Sequence, residues 1–125
     1  MQRKIKGFTL IELIVVMTII SLLLTLAAPR YFRSIDKSKE TVLKATLVGT
    51  RDAIDKFHAD TGKYPTQLAE LVEKHYLRIL PYDPIAESDQ AWILVSPADP
   101  LEGGIYNITS SAPGAGADGV PYAEW

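Results

Sequence analysis

From Phe8 to Ala28 the chain reads FTLIELIVVMTIISLLLTLAA, twenty-one residues in which Glu12 is the only ionisable side chain. As a helix rising 1.5 Å per residue this run is about 31 Å long, the thickness of a bilayer's hydrocarbon core. It is apolar on every side, which suits lipid or tight helix packing. After Ala28 the apolar positions become periodic. Leu43, Leu47, Ile54 and Phe57 follow steps of four, seven and three, with Ile35, Val42 and Val48 flanking the stripe, the pattern of a helix with one buried face. On its polar side Glu40 and Lys44, and Asp52 and Lys56, stand at i,i+4 in the favourable acid-first order. Asp60-Thr61-Gly62, with Pro65 shortly after, is a stop signal. Joined, these segments predict one helix from about Phe8 to about Ala59. It is kinked but not ended at Pro29, whose ring lacks a donor and crowds the preceding turn.

The amphipathic half needs a layer to lie on, and the remaining sequence supplies one. Thr66 is the predicted N-cap of a short second helix carrying Leu68, Leu71, Val72 and Tyr76, ended by Leu80-Pro81. Ala91–Ser96 and Ile105–Ser110 are β-branched and aromatic runs separated by Pro97, Pro100, Gly103 and Gly104, which predicts two antiparallel strands. A lone hairpin is marginal in water, so it is expected to pack on the stripe of the long helix. Ala112 to Trp125 is rich in Gly and Pro and is expected to be an ordered loop anchored by Tyr122 and Trp125. The fold class is α+β: a long N-terminal α-helix packed on a short helix and a small antiparallel sheet.

Charge gives the long helix a direction. Met1–Gly7 holds Arg3, Lys4 and Lys6 and no acid, and basic residues resist translocation, so this end is expected to stay in the cytoplasm with the bulk of the chain outside it. A cleaved secretory signal fits the same outline. Against it, the apolar run is longer than a usual signal core, and cleavage after Ala28 would put Pro29 just past the scissile bond. A buried core helix is disfavoured because so short a chain has no layer to cover it. Pro29–Arg78 holds ten basic and seven acidic residues, whereas beyond Arg78 there are seven acids and no Lys or Arg. With a formal charge of −2 there is no basic excess for nucleic acid. The absence of Cys excludes disulfides, thiolate metal sites and a cysteine nucleophile.

At the N-terminal junction Lys6-Gly7-Phe8-Thr9-Leu10-Ile11-Glu12 resembles the processing signature of the type IV pilin and type II secretion pseudopilin superfamily. It has a short basic leader, Gly before the cut, Phe after it and Glu fifth in the mature chain, and Pro29 falls where that family's kink proline sits. The resemblance implies a pilin-like fold, a leader at residues 1–7, a transmembrane helix at 8–28 and a periplasmic domain at 29–125. Within that domain, 29–59 continues the helix and 60–125 forms the short helix, hairpin and loop. It implies cleavage between Gly7 and Phe8 by prepilin peptidase and methylation of the new Phe8 amine. Asp60-Thr61-Gly62-Lys63-Tyr64-Pro65-Thr66, Leu80-Pro81-Tyr82-Asp83-Pro84, Ala117-Asp118-Gly119 and Trp125 are similar to segments of the major pseudopilin of type II secretion. Type IV pilins commonly close their C-terminal region with a disulfide, so the absence of Cys favours the pseudopilin branch.

The implied protein is not an enzyme but a filament subunit. It is anchored in the bacterial inner membrane, polymerises through its N-terminal helix, and works with an inner-membrane assembly platform and minor pseudopilins. The alternatives are a type IV pilus subunit and a membrane-anchored periplasmic binding domain. Phe8 and Glu12 are four apart and are expected to share one helix face, with Glu12 meeting the Phe8 ammonium of a neighbouring subunit. The family's calcium loop is replaced here by SAPGAGADGVPYAEW, in which Asp118, and after it Glu124, are the candidate ligands. Otherwise no cofactor is expected. His58 and His75 lack partners at ligand spacing and are expected at the surface, and Trp92 and Trp125 are expected as packing anchors.

Overall fold

A computed structural model describes residues 1–125. In chain order it contains helix α1 (Leu10–Thr61), helix α2 (Leu68–Glu73), strands β1 (Trp92–Val95) and β2 (Asn107–Ser110), and a 3-10 turn at Tyr122–Glu124. Pro29 lies inside α1, so the chain stays helical across it. Two compact units, Met1–Asp36 and Lys37–Trp125, divide the chain.

In the first unit the apolar stretch of α1 is covered by nothing else in the chain. Its hydroxyls are satisfied within the helix: Thr18, Ser21 and Thr25 donate to the carbonyls of Ile14, Met17 and Ser21, each at 2.8 Å. In hydrocarbon, where water cannot serve them, this is how such groups are tolerated.

The second unit carries the core. Leu43, Leu47, Ala53, Ile54 and Phe57 of α1 bury against Leu71, Trp92, Ile105 and Ile108, so the predicted stripe does pack on the second helix and the hairpin. Val42 and Val48, which flank the stripe in sequence, point outward and are 53% and 66% exposed. The strands pair antiparallel, with Trp92 opposite Ser110 and Val95 opposite Asn107. The segment leading into β2 is tied to the link between α1 and α2 by Ile105 N–H donating to Pro65 O at 2.8 Å. Gly104 makes this approach possible: its φ is +82°, and a Cβ there would lie 2.8 Å from the Tyr64 carbonyl oxygen.

The second helix differs from expectation at both ends. Gln67, not Thr66, takes the cap position. Thr66 instead donates its N–H and hydroxyl to the Glu70 carboxylate at 2.8 and 3.1 Å. At the other end the helix stops before Tyr76, because His75 turns left-handed with φ 64°. His75 N–H donates to Val72 O at 3.1 Å and Tyr76 N–H to Leu71 O at 2.8 Å, a Schellman-type closure. The turn brings the Tyr76 ring edge-on to Phe57 at 5.3 Å.

Candidate functional site

Gly7 and Phe8 precede α1 outside any helix or strand, with Phe8 84% exposed. A Cβ built on Gly7 meets nothing within 4 Å, so nothing inside this chain requires glycine there. α1 begins on a reciprocal cap. Glu12 N–H donates to Thr9 Oγ1 at 3.2 Å, while Thr9 N–H donates to a Glu12 carboxylate oxygen at 3.3 Å. This is a capping box, and it corrects the sequence expectation for Phe8: Thr9 is the cap, so Phe8 lies outside the helix and does not share a helical face with Glu12. The signal was present as Thr9-x-x-Glu12 ahead of an apolar run.

The Leu80-Pro81-Tyr82-Asp83-Pro84 segment folds around Asp83, which is fully buried. One carboxylate oxygen accepts from Ile85 N–H at 2.8 Å and Ala86 N–H at 3.0 Å. The other accepts from the Ser110 hydroxyl of β2. Trp92 Nε1 donates to Pro81 O at 2.9 Å, so the indole anchors the same turn.

The loop after β2 is held by one row of α1 side chains. A Glu40 carboxylate oxygen accepts from Ala117 N–H and the Tyr122 hydroxyl, both at 3.0 Å. Lys44 Nζ lies 4.3 Å from the Trp125 ring centroid and 3.9 Å from Asp118 Oδ2. Arg51 donates to Asn107 Oδ1 at 2.7 Å, Ile108 O at 2.9 Å and the Trp125 main-chain oxygen at 2.5 Å. Gly116 lets the indole in, since a Cβ there would fall 2.3 Å from the Trp125 ring. Trp125 thus anchors the loop, with Tyr122 edge-on to it at 4.9 Å.

The calcium candidates are placed differently from one another. Asp118 Oδ1 accepts from Val120 N–H at 3.0 Å and its other oxygen faces the Lys44 ammonium, whereas Glu124 is exposed in the 3-10 turn. No group of three or more His, Cys, Asp or Glu side chains gathers at metal-holding spacing. Calcium takes six to eight oxygens, and one committed carboxylate beside an ammonium does not fit that need. The histidines sit outside this loop. His58 stacks on Tyr64 at 4.0 Å between centroids, with Nε2 3.9 Å from Glu102. Burial, with Glu102 nearby, pushes the Tyr64 phenol above its ordinary range. The Tyr76 phenol is also raised, chiefly by the hydrogen bond it donates to Asp60 at 2.7 Å.

A capped apolar helix at the N-terminus, continuing into an amphipathic half that packs on a small α+β head, defines a pilin-like subunit. Residues 2–28 match the prokaryotic N-terminal methylation motif. Over nearly the whole length the chain is similar to proteins named type II secretion system core protein G. It is 32% identical to that of Klebsiella pneumoniae, covering 97% of this chain and 90% of the relative. For the Klebsiella michiganensis protein the identity is 33%, with coverage of 93% and 86%, and for that of Escherichia coli K12 it is 30%, with 88% and 83%. No solved structure shows significant similarity to the chain. The chain belongs to the type II secretion system core protein G family.

Proposed function

We propose that this chain is the repeating structural subunit of a type II secretion pseudopilus. It is inserted in the bacterial inner membrane with Arg3–Lys6 in the cytoplasm and Lys37–Trp125 in the periplasm. Prepilin peptidase cuts between Gly7 and Phe8 and methylates the Phe8 amine, and the mature subunit joins a homopolymer on an inner-membrane assembly platform together with minor pseudopilins. The role is structural, not enzymatic. The observation that carries this reading is Gly7: it lies in the methylation motif, yet the fold places nothing near it. A glycine that the chain itself does not need fits a backbone that must enter a protease closely around the scissile bond. The experiment is the intact mass of the protein purified from membranes of a host carrying the secretion system. The expected mass is that of Phe8–Trp125 plus one methyl group, and Gly7→Val should leave the leader attached. An unprocessed wild-type chain, or normal processing of Gly7→Val, overturns the reading.

For the loop after β2 we propose closure by protein side chains, with Lys44 occupying the place at Asp118 where a metal would need free carboxylate oxygens. Support comes from the commitment of Asp118 to Lys44 and Val120, and of Glu40 and Arg51 to the loop backbone at Ala117 and Trp125.

A further inference from the structure

We propose that Arg30, Tyr31, Phe32 and Arg33 form a collar that binds the phosphates of anionic phospholipids in the outer leaflet of the membrane α1 crosses. The proposal rests on the spanning orientation given above. The apolar run ends at Ala28, so at 1.5 Å per residue these four residues stand roughly 3–8 Å beyond the hydrocarbon edge. That is the depth of the headgroups, because the polar regions add roughly 5–8 Å to each side of the core.

The side chains suit that layer. Tyr31 and Phe32 are 65% and 63% exposed, with ring centroids 5.9 Å apart in an edge arrangement. Tyrosine, with an apolar ring and a polar tip, is enriched at this depth in spanning helices. Arg30 and Arg33 stand at i,i+3, close enough on the helix surface to meet one headgroup or two adjacent ones. Neither guanidinium makes an ion pair or hydrogen bond within the chain, and Asp36, the nearest acid in sequence, pairs with neither.

The charge balance across the span sharpens the point. Before processing, Arg3, Lys4 and Lys6 flank one end of the span, and Arg30 and Arg33 stand directly after the other. Cleavage after Gly7 would remove all three and leave the new Phe8 amine at one end of the span, with Arg30 and Arg33 as the basic side chains nearest its other end. Basic side chains beside a span are attracted to anionic charge at the membrane surface. The chain offers none in contact, and lipid phosphate lies at the right depth. A guanidinium matches a phosphate bidentately, which favours arginine over lysine in this place.

Each basic group near an anionic surface is worth about 1 kcal/mol, about fivefold in lipid preference. The test is native mass spectrometry of the full-length chain from detergent micelles holding equal phosphatidylglycerol and phosphatidylcholine, counting the lipids retained. The wild type should retain phosphatidylglycerol over phosphatidylcholine by at least about fivefold. R30Q/R33Q should fall close to equal retention, whereas R3Q/K4Q/K6Q should keep most of the preference. Equal retention by the wild type overturns the collar. So does a preference that disappears with the leader charges but survives R30Q/R33Q, or a lipid-free dimer that R30Q/R33Q dissolves, which would assign the arginines to acids of a second copy. Carbonate extraction of membranes separates the two levels. Wild-type chain released by carbonate sinks the spanning reading and the collar with it, whereas membrane-retained chain with no lipid preference sinks the collar alone.

Discussion

At Glu12 two demands fall on one carboxylate. A carboxylate in a spanning segment costs on the order of 3 kcal/mol by insertion scales, less near the helix end. The capping box with Thr9 returns part of that, since a good cap is worth about 1 kcal/mol. Gln can serve the cap as well as Glu, but carries no charge to meet the amine that the proposed cleavage would create at Phe8. Glu12→Gln and Glu12→Leu should therefore both insert and be cleaved, and both should fail to assemble, as measured by the filament yield from overexpressing cells. Normal yield from Glu12→Gln alone would show that assembly needs the cap, not the charge. Asp83 makes a different kind of prediction. Its carboxylate receives three donors in full burial, so Asp83→Ala leaves Ile85, Ala86 and Ser110 without their acceptor. Thermal unfolding of a fragment beginning near Arg30 should show a loss of about 2–4 kcal/mol, with Asp83→Asn milder because it keeps an acceptor oxygen. The Glu12 cap was legible in the sequence because both partners lie within one turn. The role of Asp83 was not, because Ser110 is twenty-seven positions away and no local pattern joins them.

Among the elements, the long helix shows where period suffices and where it fails. Leu43, Leu47, Ile54 and Phe57 are buried as their spacing predicts, because burial follows from the 3.6-residue repeat alone. The polar side divides. Lys56 and Asp52 pair at 2.7 Å, as their i,i+4 spacing predicts, because no other element covers them. Glu40 and Lys44 have the same spacing, yet both are turned to the loop after β2, where Glu40 meets two donors and Lys44 an aromatic face and a carboxylate. Tertiary partners outweigh an exposed helical pair worth only a few tenths of a kcal/mol. Arg51 goes furthest, joining β2 to the main chain of Trp125 from one guanidinium. Arg51→Leu should cost about 2–3 kcal/mol in thermal unfolding, because three half-buried acceptors lose a charged donor at once. The same measurement tests the metal-free loop. A ligand that binds only the folded state raises its melting temperature, so millimolar calcium against chelator is expected to give no shift. A calcium shift that Asp118→Ala abolishes would restore the metal reading instead.

Across the whole molecule the sequence is polarised, with basic residues concentrated before Arg78 and only acids after it. An acidic face of one subunit steering toward a basic region of the next is the simplest use of such an arrangement. The fold spends much of it internally. Asp83 is buried, Glu87 lies 3.4 Å from Lys39, Asp118 3.9 Å from Lys44, and Glu102 3.9 Å from His58. Asp89, Asp99 and Glu124 remain exposed without a cation in contact, and isolated surface pairs between them and another copy would contribute at most about 1 kcal/mol each. Val42, Val48, Ile79 and Leu101 are uncovered apolar groups on the same unit. Contacts through these, and through the apolar stretch of α1, do not weaken as salt screens charge. The pairing expected between Glu12 and the Phe8 amine of a neighbouring subunit would be shielded as well, among apolar helices where bulk ions do not reach. Raising salt from about 0.1 to about 1 M shortens the screening length from about 10 to about 3 Å. Sheared filaments of the wild-type chain should accordingly keep their sedimenting fraction within about a factor of two over that range. A tenfold loss would show that charges between heads hold the polymer, and would return the exposed acids to the centre of assembly.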